Sequence, residues 1–173
     1  SWTERTSGTS KIFGGVTYGN GLFVTVGRTG TIFTSYDGNS WTKRTSGTSQ
    51  NLYGVTYGNG TFVTVGNKGT ILTSSDGSSW DNRTSGTSNQ LLGVTYGNSI
   101  FVTVGQSGTI LTSSDGTTWT SRTSGTSENL QGVSYGNGLF VAVGDSGTKL
   151  TSPDGTTWTS RTSGRSKKGV TYG

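Results

Sequence analysis

Apolar residues in this chain come in short β-branched and aromatic runs, each closed by glycine. Residues 52–86 show the pattern once through: Leu52-Tyr53-Gly54-Val55-Thr56-Tyr57, Thr61-Phe62-Val63-Thr64-Val65, Thr70-Ile71-Leu72-Thr73-Ser74 and Trp80-Asp81-Asn82-Arg83-Thr84-Ser85. Their length and residue types predict four strands, here called A, B, C and D. Gly58-Asn59-Gly60 separates A from B. Asn-Gly is the favoured two-residue hairpin signal because both positions tolerate positive φ. Glycines bracket the B–C turn, Gly66-Asn67-Lys68-Gly69, and Asp76-Gly77 marks the C–D turn. Three hairpins predict a four-stranded antiparallel meander. Strands A to C carry apolar or small residues at successive positions, as a sheet covered on both faces requires.

The meander repeats. Tryptophans stand at 2, 41, 80, 119 and 158, a step of 39 residues. A period of roughly 20–50 residues marks solenoids, propellers or arrays. One such sheet cannot bury its own faces, but several can stack around an axis, so the expected fold is an all-β propeller of four-stranded antiparallel blades. A β-solenoid is the alternative; its repeats are usually shorter and parallel and need no Asn-Gly hairpins. The expected organisation is a single repeat domain over 1–173. Partial copies occupy 1–8 and 165–173, and complete blades lie at about 12–47, 51–86, 90–125 and 129–164. The order is therefore D, four ABCD units, then A, with Lys167-Lys168 replacing an apolar residue in the last copy. Strands B and C are missing where the two ends would join. This predicts a segment of a longer array; a four-bladed ring with spare ends and an assembly of several chains are the alternatives.

The C–D turn keeps its Asp-Gly and Trp in every complete copy: Ser35-Tyr36-Asp37-Gly38-Asn39-Ser40-Trp41, then Asp76 to Trp80, Asp115 to Trp119 and Asp154 to Trp158 in the same frame. It resembles the Asp-box, or BNR, repeat of sialidase-type propellers and of the photosystem assembly-factor family similar to Ycf48. In that family the box is the turn between the third and fourth strands of a blade, which is where the strand pattern puts it. The usual box has a residue between Asp and Gly, and here the two are adjacent. The resemblance implies a propeller and, through Ycf48, an assembly-factor role.

Within the box the expected work is structural. An Asp before Gly accepts backbone N–H bonds from the residues ahead, and Gly takes the positive φ. Trp41, Trp80, Trp119 and Trp158 fill the gap to a neighbouring blade and can donate the indole N–H. Blades radiate, so the four aspartates are expected far apart. Arginines 5, 44, 83, 122 and 161 follow each Trp by three positions. That spacing turns them to the opposite face of strand D, to bridge to the next blade or stay solvated.

Composition narrows the chemistry. The chain is 27% hydrophobic and 12% charged, yet its 18 aromatic residues recur in phase, which separates it from disordered sequences. It has no Cys, His or Met. The commonest general base and metal ligand is thus absent, and no thiolate chemistry is available. Sialidase activity needs a converging arginine cluster and a tyrosine–glutamate pair, and the only glutamates are Glu4 and Glu128. No enzyme activity, cofactor or metal is expected. The net charge of +5 suits an anionic partner, but basic residues cluster only at Arg165, Lys167 and Lys168. No nucleic-acid motif is present, so nucleic acid is not an expected partner. No run reaches the roughly 18 apolar residues of a membrane span. Thr, Ser and Gly richness without Cys points to an exported bacterial protein, extracellular or at the cell surface.

Where the copies differ is informative. The A–B and C–D turns barely change. The B–C turn changes at Arg28, Asn67, Gln106 and Asp145, with Lys68 beside Asn67. The D–A connection changes at Lys11, Phe13, Gln50, Tyr53, Gln90, Glu128 and Gln131. In an antiparallel blade these two loops share one end. That end is the expected binding face, shallow and without lids, for a protein or glycan surface. The alternative is a structural repeat that self-associates into extracellular fibres or surface layers.

Overall fold

A computed structural model describes residues 3–4 and 6–161, and its regular structure is four antiparallel sheets joined by turns. The first blade is β1 (Phe13–Gly19), β2 (Leu22–Gly27), β3 (Thr31–Ser35) and β4 (Thr42–Arg44); the second is β5 (Leu52–Gly58), β6 (Thr61–Gly66), β7 (Ile71–Ser74) and β8 (Asp81–Arg83). The third is β9 (Leu91–Gly97), β10 (Ile100–Gly105), β11 (Ile110–Ser113) and β12 (Thr120–Arg122), and the fourth is β13 (Leu130–Gly136), β14 (Leu139–Gly144), β15 (Lys149–Ser152) and β16 (Thr159–Ser160). Each sheet runs in chain order as a meander, so the fold is a β-propeller of four-stranded blades. The partial copy at 165–173, and Trp2 and Arg5 of the first one, lie outside the described residues. Among the described residues no helix is long and apolar enough to cross a membrane.

Local chemistry fixes each hairpin. Asn59 and Gly60 both take positive φ, at 47° and 74°, the geometry of a tight hairpin turn that follows the strand twist. The turn sets the register, with Tyr57 opposite Phe62 and their rings 4.5 Å apart. At the far end of strand A the register slips between Leu52 and Gly54, so Tyr53 has no partner across the ladder. The same slip passes over Gly14, Leu92 and Gln131. A buried hydroxyl braces the distorted stretch in three blades: Thr25, Thr64 and Thr103 donate to the carbonyls of Gly15, Gly54 and Gly93 at 2.8–2.9 Å.

The core lies between blades. Leu22, Val24, Val26 and Ile32 of the first blade pack with Leu52, Val55, Phe62 and Leu72 of the second, edged by Tyr57 and Trp80. Two further clusters repeat this arrangement between the second and third blades and between the third and fourth. The A strands stack directly, β1 on β5, β5 on β9 and β9 on β13. Glycine permits this approach: a Cβ on Gly19, Gly58 or Gly97 would fall inside the ring of Tyr57, Tyr96 or Tyr135 from the next blade.

Strand D is the exposed edge, and among the described residues its arginine bonds within its own blade. Arg44, Arg83 and Arg122 donate from Nε to Thr34, Thr73 and Thr112 on strand C of their own blade at 2.8–2.9 Å. Residues three apart do face opposite ways, but the guanidinium folds back across its own sheet and tethers the three-residue D strand. Arg83 also pairs with Asp81 at 3.0 Å.

Candidate functional site

The two ends of the blades offer different chemistry. At the C–D end each turn is closed by its own side chains. Asp76 Oδ1 accepts from the backbone N–H groups of Ser78 and Ser79 and from the Ser74 hydroxyl, at 2.8–3.0 Å. Ser74 Oγ accepts from Gly77 N, and Trp80 Nε1 donates to the Gly77 carbonyl. Gly77 takes φ 73°. The turns at Asp37, Asp115 and Asp154 repeat this geometry.

These bonds all favour the ionised carboxylate. The N–H groups of Ser40 and Asn39 hold Asp37 below the usual carboxylate range, and those of Ser79 and Ser78 do the same for Asp76. Asp115 is lowered furthest by the Thr117 hydroxyl, then by the N–H of Thr118. For Asp154 the order is the Thr157 N–H, then the Thr156 hydroxyl. A carboxylate so engaged is a poor general acid.

Blades were expected to hold these aspartates far apart, and one adjacent pair does border a common space. Asp76 and Asp115 line one cavity of about 230 Å³, with Thr61, Ser79, Asp81 and Thr117. The cause is packing: the C–D turns of the second, third and fourth blades sit on strand B of the blade before, with Gly77 against Leu22, Gly116 against Val63 and Thr61, and Gly155 against Ile100 and Val102. Among the described residues no group of three or more His, Cys, Asp or Glu is arranged to hold a metal.

At the other end the B–C turn is a single 3-10 turn, Arg28–Gly30, Asn67–Gly69, Gln106–Gly108 and Asp145–Gly147. Its middle residue is left-handed without being glycine: Thr29 at φ 55°, Lys68 at 50°, Ser107 at 53° and Ser146 at 54°. Non-glycine residues in this region carry strain, which proteins concentrate at functional sites and tight turns. Bonds here run between blades. Thr29 N donates to Asn51 Oδ1 and Gly30 N to the Gln50 carbonyl; Ser107 N and Gly108 N reach Asn129 Oδ1 and the Glu128 carbonyl likewise.

The structure gathers the sequence-derived candidates at this end but leaves few of them free. Tyr53 donates its hydroxyl to Asn67, and Gln131 and Asn129 both donate to Asp145. Gln106 Oε1 accepts from Gln90 N, and Ser146 donates to Glu128. Gln50 is half-buried in its connector. Phe13 stacks edge-on against Phe33, with ring centres 5.9 Å apart. Lys11, Arg28 and Lys68 point to solvent. Tyr53 and Gln131 stand where the A–B register slips, a feature common beside binding sites.

Sequence comparison alone missed what lines the grooves. Three consecutive blades each open a groove at this end, of about 570, 480 and 770 Å³. The walls are the constant connectors, Thr45–Ser49, Thr84–Ser88 and Thr123–Ser127. Each groove also contains the left-handed residue of its B–C turn: Thr29, Lys68 or Ser107. Of the candidates drawn from copy variation, only Lys68 is among them. Constancy hid the connector, because the signal sought was difference between copies.

A family model described as the DUF6242 beta propeller domain matches residues 15–130. Among solved structures, YCF48 from Cyanidioschyzon merolae superposes with a TM-score of 0.70 at 20% identity, over 91% of this chain and 58% of that one. YCF48 bound to D1 peptide gives 0.63 at 18% identity, over 86% and 52%. The chain thus spans little more than half the length of either. The computationally designed Ika4 protein gives 0.68 at 14% identity, over 83% and 92%. No curated protein sequence matches the chain.

Proposed function

The chain belongs to the DUF6242 beta propeller domain family, and from that premise we propose that it is a non-enzymatic scaffold that binds an extended protein segment across its B–C and D–A end. The observation that carries this reading is repetition with change. The same shallow polar groove recurs in three consecutive blades, with a different residue at one fixed place: Thr29, Lys68, then Ser107. A row of equivalent sites suits a ligand that is itself repetitive along its length, as an extended peptide backbone is. The constant Thr and Ser hydroxyls would meet backbone groups, and the changing residue would read side chains. A structural neighbour carrying a bound peptide supports a protein ligand over a sugar. An assembly-factor role like that of Ycf48 is one form of this activity.

The C–D end supports the non-enzymatic half of the proposal. Its turns resemble an Asp-box whose Asp and Gly are adjacent, and their carboxylates are spent on the turn. Composition alone supports placing the protein outside the cell.

Peptide and glycan arrays probed with the intact chain test the reading. Peptide capture should weaken at least tenfold in the double variant Arg28→Glu/Lys68→Glu and stay unchanged in Asn59→Asp, which lies at the opposite end. Capture of glycans alone, or equal capture by the two variants, would refute it. Turnover of fluorogenic glycosides would refute the non-enzymatic assignment.

A further inference from the structure

The groove between the second and third blades, midway along the arc, differs from the other two in its floor. Each groove is walled by a constant Thr and Ser connector. The largest, of about 770 Å³, also reaches Trp119 and Leu111. The groove of the second blade, of about 480 Å³, reaches neither Trp80 nor Leu72. Those residues hold the same places in the repeat, so the cause lies in what stands beside them.

Two consecutive positions on strand D account for the difference. Residues two apart on a strand share a face. Asn82 therefore stands beside Trp80 and opposite Leu72, and Ser121 stands beside Trp119 and opposite Leu111. Asn82 lines the second groove where the shorter Ser121 lines the third. Lys43 holds the position in the first blade, whose groove reaches no tryptophan either. The serine side chain is too short to cover the indole, which becomes part of the groove. The indole Nε1 already donates to the Gly116 carbonyl at 3.0 Å, so what it presents to a ligand is ring surface.

The position before it changes the charge. In the second blade Asp81 pairs with Arg83 at 3.0 Å. In the third, Thr120 takes the place of that aspartate. Arg122 keeps its Nε bond to Thr112, but among the described residues no carboxylate pairs with it. Arg122 lines the groove, and among the lining residues there is no Asp or Glu. Ring surface and an uncompensated guanidinium thus lie in one groove. Its wall is continuous with the second groove, because Ser85, Gly86 and Thr87 line both as two sides of one connector. A chain lying in the second groove passes over that connector into the third.

We infer that the third groove is the anchor subsite of the scaffold, taking an aromatic side chain of the bound segment against Trp119 and a neighbouring Asp or Glu of that segment at Arg122. This rests on the peptide-binding reading of the grooves. Aromatic rings pair favourably with one another, and a guanidinium holds a carboxylate through paired N–H bonds. The second groove lengthens the contact, and Ser121 and Thr120 set what the segment must carry.

An array of short blocked peptides tests this, each a Gly/Ser/Thr background with one central pair: Phe-Asp, Phe-Asn, Ala-Asp or Ala-Asn. The labelled intact chain should capture Phe-Asp about tenfold better than Ala-Asp, and better than Phe-Asn by a smaller factor. Ser121→Lys fills the groove as Lys43 does in the first blade and should abolish the preference for Phe. Thr120→Asp supplies Arg122 with the partner that Arg83 has, and should abolish the preference for Asp while keeping that for Phe. Both positions are exposed, so each variant should keep the wild-type circular dichroism spectrum. The reverse change, Asp81→Thr/Asn82→Ser, should give the second groove the same preference and strengthen capture of peptides carrying two Phe-Asp pairs. That gain decides the matter if Ser121→Lys does not fold. Equal capture of all four peptides, still weakened by Arg28→Glu/Lys68→Glu, would overturn the anchor and leave the groove reading standing. Capture of no peptide would overturn both. A Phe preference that survives Ser121→Lys would overturn the anchor, and so would Ser121-dependent capture of glycans in place of peptides.

Discussion

The middle of the arc and its two ends carry the same residues in different surroundings. Val63 and Val102 are sealed between blades, whereas Val141, at the same place in the repeat, is not. The Gly97 position is filled by Tyr135, and among the described residues nothing fills the one at Gly136. The repeat supplies each blade with a complete interface on both sides, and position in the chain decides whether it is used. A residue's contribution to stability therefore cannot be read from its type or its repeat position. It depends on whether a neighbouring blade is present. That makes the chain a set of internal controls, in which one substitution can be made with and without its partner.

The largest contrast should come from the aromatic at the start of strand B. Phe101 is fully buried between the second and third blades, and Phe23 is its half-buried counterpart on the open face of the first. Phe101→Ala should destabilise by about 3–5 kcal/mol, the usual range for emptying such a site. Phe23→Ala should lose less than that, since its ring is only partly buried. Urea unfolding of the two variants measures both. Equal losses would mean that the strength of strand B lies within its own blade and not between blades.

A smaller contrast falls on the glycine sockets. Gly97→Ala places a methyl group against the Tyr135 ring and should cost about 1–3 kcal/mol by overpacking. Gly136→Ala meets no neighbour among the described residues and should stay within about 0.5 kcal/mol of wild type. Thermal unfolding of the two variants side by side checks this. If the two shifts match, Tyr135 moves aside freely and the glycines serve only the backbone.

Much of this architecture was legible in the sequence because hairpins are local. Asn59-Gly60 sets a turn, and the turn sets the register of Tyr57 on Phe62. The 39-residue period then sets the stacking. What escaped was non-local or constant. That Asp76 and Asp115 share a cavity depends on one blade's turn resting on the previous blade's strand B, which no single repeat encodes. Arg83 could point outward on strand periodicity alone, and it is its partners, the Thr73 hydroxyl across the sheet and Asp81 on its own strand, that explain why it stays on its own blade. The end proposed for binding was singled out by residues that differ, such as Lys68 and Tyr53. The connectors walling its grooves are the same in every copy, and variation cannot reveal them.

The smallest contrast belongs to the aspartate turns. The bonds to Asp115 and Asp37 come from their own turns, not from a neighbouring blade. Asp115→Asn and Asp37→Asn should therefore lower the unfolding midpoint by a similar few degrees at neutral pH, although Gly116 is packed and Gly38 is not. All four carboxylates are held below the ordinary value of 3.8, so the native state binds fewer protons than the unfolded chain just below that pH. Their contribution is fully present above about pH 4 and is lost as the pH falls through the lowered native values. The unfolding midpoint of the wild type should drop steeply below about pH 4, and each Asn variant should flatten that slope by its share. A pH profile between about 2 and 7 tests this. If Asp115→Asn flattens the slope far more than Asp37→Asn, the neighbouring blade strengthens these turns, and the division between local turns and inter-blade packing fails at its most local point.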